Sequence, residues 1–301
     1  MSRAPLLLVE GARIDVGGAP LCDGLGAVSE ADRVGLVGDW SALFALLGAR
    51  GRLVRGRAEI AGVPAERAVA SGQVGLALSD VPLPGAASAR DYLEASARLA
   101  GFSRRLAVDA SRHALGELGL DALAGRRIRD LGQLERRGLA LAHAALGNPS
   151  ALVLEAPLDH LDEASSGVVA GWVERAAAGR RLLVSARHTG MATPERGLFD
   201  GLEEILVLRP GGLLSQGPPA ETLSGCERYL VVVRSRGAEL KEALLARGVE
   251  ATLEAQDGAG ARLWVELRAP GALDLVRDVV VELEAPLIEL TPLASRPDRV
   301  E

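Results

Sequence analysis

Asn148-Pro-Ser-Ala-Leu-Val-Leu-Glu-Ala-Pro-Leu-Asp-His-Leu-Asp162 is the stretch from which the architecture can be worked out. Its apolar run 151–154 has no polar residue on either face, which predicts a short strand buried on both sides. The run delivers an acid, Glu155, to its end, then Pro157, then a polar turn closing on Leu161-Asp162. Upstream, 134–146 has helical periodicity and stops at Gly147-Asn148-Pro149, as helices tend to. Downstream, a helix is expected over 163–177 and a strand over 181–185. Apolar strands separated by helices predict a parallel sheet covered on both faces.

Working outward, 5–38 reads as short strands (6–9, 13–16, 26–28 and 33–37) with a turn at Gly17-Gly18. A short helix is expected over 42–49, a strand over 74–78 and a Pro/Gly-rich loop over 79–88. Apolar residues at three- and four-residue spacing (Tyr92, Leu93, Ala97, Leu99) predict helix from Ala89 to about Leu123. Strands follow over 204–208 and 213–215, around Gly211-Gly212. Past Ser224-Gly225 the rhythm becomes strand 228–234, helix 237–247, strands 249–254 and 262–267, helix 270–283, strand 286–290. That β-α-β-β-α-β order is ferredoxin-like. The expected division is therefore 1–224, with a helical subdomain over about 89–147, and a second domain over 225–301.

Composition narrows the function classes. The chain of 301 residues is 48% hydrophobic and 25% charged, enough for a proper core. Its net charge is −6 with acids and bases interspersed, and aromatics are 3%. Both argue against nucleic acid as a partner, since neither a broad basic face nor base-stacking platforms are provided. Cys22 and Cys226 fit no metal or redox spacing and read as free, buried thiols of a reducing compartment. No signal peptide or membrane-spanning run is present, so any membrane link is expected to come through a partner.

Taken together, these landmarks resemble the ATP-binding subunits of ABC transporters of the exporter type, over roughly 5–225. Residues 148–162 resemble the Walker B strand and D-loop. Val34-Gly-Leu-Val-Gly38 resembles the strand entering a P-loop, and Ser88-Ala-Arg-Asp-Tyr-Leu93 the opening of the helical subdomain. The stretch 139–149 is similar to the helix between signature and Walker B. Arg209-Pro-Gly-Gly-Leu-Leu-Ser-Gln-Gly-Pro-Pro-Ala-Glu221 resembles the segment closing the ATPase domain. The resemblance implies a P-loop NTPase-like α/β core, with 225–301 similar to the accessory domain of polymer- and drug-exporter ATPases. It further implies ATP and Mg²⁺ as family cofactors and a membrane permease as partner, met through the helical subdomain and the 79–90 loop. A homodimer, or a heterodimer with an ABC ATPase, and a place at the cytoplasmic face of a membrane are implied likewise.

The same resemblance exposes departures at the nucleotide site. The family P-loop wraps phosphates with backbone N–H groups, a Lys and a metal-binding hydroxyl. Here Gly38 is followed only by Asp39, Trp40 and Ser41, so Trp40 stands at the Lys position in a shortened loop. Asp39 is expected to cap the next helix and hold its positive end against a phosphate. Val16 stands where the family stacks adenine, and Ser79 where it has the Q-loop Gln; Gln73 is at the wrong end of that strand. The signature reads Leu131-Gly-Gln-Leu-Glu135, without its Ser and with Leu134 for a Gly.

At Walker B, Glu155 stands for the Mg²⁺ acid, but Ala156 stands for the general base, whose loss typically costs ~10²–10⁴ in rate. Arg187 takes the expected place of the switch His, with His188 one residue later, while Asp162 of the D-loop is kept and doubles as a helix cap. The expectation is a subunit with no catalytic residues, no resident cofactor and no metal, acting as scaffold or regulator of a membrane exporter. A slow or heterodimeric ATPase is the alternative. A metal- or small-ligand-binding regulator using Glu155, Asp159, His160, Asp162 and His188 is a further one. His113 and His143 are expected to be partly buried or surface residues.

Overall fold

A computed structural model describes residues 3–79, 82–187, 193–209, 212–223, 227–257, 260–267 and 272–293. The chain divides into two compact units, 1–188 with 197–222, and 189–196 with 223–301.

The first unit opens with β1 (Leu7–Val16) and β2 (Ala19–Ser29), a hairpin turning at Gly17-Gly18, where Val16 pairs with Ala19. Then come β3 (Arg33–Val37), α1 (Ser41–Leu47), β4 (Gly51–Ile60), β5 (Val63–Pro64), α2 (Ala65–Ala68) and β6 (Val74–Ala77). The helical stretch holds α3 (Ala89–Leu99), α4 (Arg104–Leu118) and α5 (Gln133–Ala145). The closing run is β7 (Ala151–Leu154), α6 (Glu163–Ala177), β8 (Arg181–Ala186), α7 (Pro194–Phe199), β9 (Glu204–Arg209), β10 (Gly212–Gly217) and α8 (Pro219–Thr222). The last three residues of α7 belong to this unit.

Two sheets organise it. One is antiparallel in the order β2-β1-β4-β5, and the other runs β10-β9-β3-β8-β7-β6. In the second, β3 pairs in parallel with β8 and β9, β7 with β8, and β6 with β7, while β10 returns antiparallel. All four residues of β7 and all six of β8 are buried, as a sheet covered on both faces requires. Helix α5 lies hard against β6: a Cβ on Gly75 would stand 1.8 Å from the Ala144 carbonyl oxygen. Only glycine permits that approach.

The expected single helix from Ala89 to Leu123 is two helices. Its run is interrupted at Gly101-Phe102, and Ser103 restarts it by accepting a hydrogen bond from Leu106 N–H. The expected strands 6–9 and 13–16 are one bulged strand, and β4 is a strand that apolar alternation does not reveal. Half of its pattern Gly-Arg-Leu-Val-Arg-Gly-Arg-Ala-Glu-Ile is exposed, and pairing with β1 fixes it. Cys22 is half-buried rather than buried, and His113 is exposed.

The second unit contains β11 (Glu227–Val233), α9 (Gly237–Ala246), β12 (Glu250–Asp257), β13 (Gly260–Leu267), α10 (Ala272–Glu282) and β14 (Leu287–Leu293). Its sheet runs β12-β13-β11-β14 with every neighbouring pair antiparallel, the ferredoxin-like arrangement. Val231, Leu263 and Val265 from the sheet and Leu240, Leu244 and Val279 from the helices form its core.

Candidate nucleotide-site region

In a parallel α/β sheet the ligand crevice lies beyond the carboxyl ends of the strands. Four such ends matter here: Val37 of β3, Ala77 of β6, Leu154 of β7 and Ala186 of β8.

At the end of β3 the chain turns into α1 through Gly38, Asp39 and Trp40. Gly38 has φ +98°, and a Cβ there would lie 2.3 Å from the Leu208 carbonyl oxygen. Its N–H donates to the Ala186 carbonyl at 3.1 Å, tying this turn to the end of β8. Trp40 is 2% exposed and belongs to the main core, packed in one cluster with Leu36, Leu43 and Phe44. Its indole N–H donates back to the Val37 carbonyl at 3.1 Å, which satisfies the ring's one polar atom.

The cap position of α1 is Trp40, one residue later than the expected Asp39. Asp39 nevertheless points its carboxylate at the helix end, accepting from the Ser41 N–H at 3.0 Å. A fixed anion therefore sits among the first free N–H groups of α1.

A second helix terminus is arranged the same way. Gly132 precedes α5, and the Glu135 carboxylate accepts from its N–H at 2.9 Å. Arg126 pairs with the same carboxylate and donates to the Asp130 carbonyl at 2.9 Å. The Gly132 hydrogen bond, with help from Arg126, holds the Glu135 carboxyl below its ordinary range.

Beyond β7, Glu155 accepts from the Ser79 N–H at 3.1 Å and from its hydroxyl at 3.2 Å. Of the residues singled out from sequence, these two meet, and so do Asp159, His160 and Arg187. Ala156 has φ +41° and is buried, and its N–H donates to the Ser185 hydroxyl at 3.1 Å. His160 Nε2 and Arg187 Nε both approach Asp159 Oδ2, at 3.4 and 3.5 Å. Asp162 caps α6, accepting from the Ser165 N–H at 2.7 Å. That bond, strengthened by the Ser165 hydroxyl, lowers the acid's pKa. His188 lies outside the described residues.

Sequence reasoning passed over Arg137. It reaches from α5 to the Ser79 carbonyl at 3.0 Å and the Asp159 carbonyl at 3.2 Å. With Glu155, Ala77, Ala140, Pro157 and Val169 it lines a small hollow at the ends of β6 and β7. An Arg among apolar positions of an otherwise helical pattern was the available signal. His143 of α5 is half-buried, its ring centroid 5.3 Å from that of Tyr92, and burial lowers its pKa. Among the described residues no group of three or more His, Cys, Asp or Glu could hold a metal ion.

No family model matches the chain. The lipoprotein-releasing system ATP-binding protein LolD of Oleidesulfovibrio alaskensis is 31% identical over 205 residues, 63% of this chain and 84% of that protein. The chain belongs to the ATP-binding proteins of ABC transporters. Within that family, the phosphonates import protein PhnC of Hyphomonas neptunium is 30% identical over 135 residues, 44% of this chain and 50% of the relative. The cytochrome c biogenesis export protein CcmA 2 of Cupriavidus metallidurans is 40% identical over 79 residues, 26% of this chain and 36% of the relative.

Solved ABC cassettes share the fold at 15% identity. One is cbiO1 of Clostridium perfringens, part of the cbiONQ transporter complex (TM-score 0.60, 80% of this chain and 95% of that one). Another is a cassette in its ADP conformation (TM-score 0.58, 72% and 92%). The α/β ABC-cassette fold expected from sequence is the fold found. Among the described residues no helix is long and apolar enough to cross a membrane.

Proposed function

We propose that this ABC-family subunit neither binds nor hydrolyses ATP in the ordinary way and serves as a scaffold or regulatory partner of a membrane exporter complex. The observation that carries the reading is Trp40. Where the family resemblance puts a phosphate-binding Lys, an indole is packed into the core with its N–H satisfied. A side chain so placed can neither reach a phosphate nor leave without opening a cavity.

Asp39 and Glu135 support it, each supplying a carboxylate at a helix end where the resemblance puts phosphate. Ala156 removes the general base, and Glu155 spends its carboxylate on Ser79. In this reading 1–224 is the cassette and 225–301 an accessory domain. The cassette docks on a permease at the cytoplasmic face of a membrane and pairs with a copy of itself or an ABC ATPase. Of the relatives, LolD and CcmA 2 are named for release and export, and PhnC for import. Calorimetric titration of the full chain with ATP and Mg²⁺ tests the claim: no saturable heat is expected, and micromolar affinity would sink it.

A second reading is favoured by the relatives, which are all named ATP-binding proteins. In it the chain is a slow ATPase completed by an active partner. ATP turnover by the purified complex, abolished by Glu155→Ala, would establish that instead.

A further inference from the structure

Ser79 is held from both sides. Its N–H and hydroxyl go to the Glu155 carboxylate, and its carbonyl receives one arm of the Arg137 guanidinium. The other arm takes the Asp159 carbonyl, on the turn after β7. Glu155 N–H closes the set by donating to the Ala77 carbonyl at 2.8 Å. A guanidinium is planar and presents its donors in a fixed fork, so two carbonyls bound at once set its position and that of its helix. Arg137 and Glu155 line the same small hollow.

The second fixed point of α5 lies seven residues further along the helix. At Gly75 the strand touches the helix backbone at Ala144, roughly 10 Å along the axis from Arg137 at ~1.5 Å per residue. A helix held at one point can pivot; held at two, it cannot tilt without breaking one of them. Helices α3 and α4 pack with α5 in the same layer and follow it.

From this geometry we infer that Arg137, with Glu155 and Ser79, is a clamp fixing the helical subdomain (α3–α5) to the ends of β6 and β7, made wholly of the chain's own groups. Glu155 acts in it as a positioning residue that holds the β6 end for Arg137 to grip. The subdomain and the sheet therefore move as one body. The clamp stands on its own contacts and does not need the nucleotide reading to hold.

The test is a distance measurement by double electron–electron resonance on the full chain. Spin labels go on Arg52→Cys in β4 and Arg105→Cys in α4, both exposed sites, in a Cys22→Ser, Cys226→Ser background. One narrow distribution is expected, unchanged by millimolar ATP with Mg²⁺, and it should broaden or shift in Arg137→Met. A broad distribution in the parent, movement on adding ATP, or a Met variant that matches the parent overturns the clamp.

Should Arg137→Met not fold, Arg137→Lys keeps the charge but cannot span both carbonyls. Hydrogen exchange at the Ser79 amide should then rise about tenfold or more, and an unchanged rate overturns the proposal. ATP binding seen by calorimetry with distances unmoved would remove the nucleotide reading and leave the clamp in place.

Discussion

Two strand-to-helix turns of the same parallel sheet have gone opposite ways. After β3 the chain needs only Gly38, Asp39 and Trp40 to enter α1, and it uses the last as core. After β7 it spends residues 155–162, keeps a polar turn and caps α6 with an exposed Asp162. In the first turn the Gly38 N–H goes to the Ala186 carbonyl and the Ser41 N–H to the Asp39 carboxylate, and an indole takes the space. The second buries Ala156 and Leu158 but keeps polar groups at Glu155, Asp159 and His160, whose contacts are spread over Ser79, Arg137 and Arg187. The first turn is constrained by the packing of its indole; the polar half of the second is constrained by a few hydrogen bonds. The two therefore differ in what a substitution does to them.

The largest expected effect is at Trp40. Trp40→Ala should destabilise the first unit by about 3–5 kcal/mol, through lost burial and the cavity left behind. Urea unfolding followed by circular dichroism measures it, and a loss under ~1 kcal/mol would mean the turn is not a core element.

Next is Gly38, whose φ of +98° and backbone neighbour leave no room for a Cβ. Gly38→Ala should cost on the order of 1–3 kcal/mol in the same assay. A neutral result would show that the turn can relax away from Leu208.

The smallest effect sharpens the other turn. The Asp162 pKa is lowered on folding, so its carboxylate contributes stability above its unfolded value, near about 4. That contribution is lost as pH falls through the folded value. Asp162→Asn keeps a capping oxygen without the charge. Its unfolding midpoint should fall slightly below the parent's near neutral pH, with the gap closing in acid. A gap independent of pH would assign the effect to shape rather than charge.

Much of the fold was legible because its signals are local. The expected helix over 163–177 matches α6, and the expected strand 151–154 matches β7. Gly147-Asn148-Pro149 does end α5, and the β-α-β-β-α-β rhythm past residue 225 is the one found. What escaped was set by distant partners. The strand β4 carries four charged residues in ten and forms because β1 lies beside it. The break between α3 and α4 lies at Gly101-Phe102, within a periodic pattern that does not betray it.

The candidate site divides along the same line. Sequence alone determined that the chain resembles ABC cassettes, and it raised the expectation that the P-loop is short and that Trp40, Leu134 and Ala156 stand at positions the family fills otherwise. Those are statements about which residue types occur at which spacing. Where the Trp40 indole goes, which acid meets Ser79, and that Arg137 spans two loops were decided only by the tertiary structure. Each depends on groups brought together from elsewhere in the chain: Ser79 and Glu155 are 76 residues apart, and Arg137 reaches Ser79 across 58. No local pattern encodes such meetings; packing of the helices on the sheet creates them.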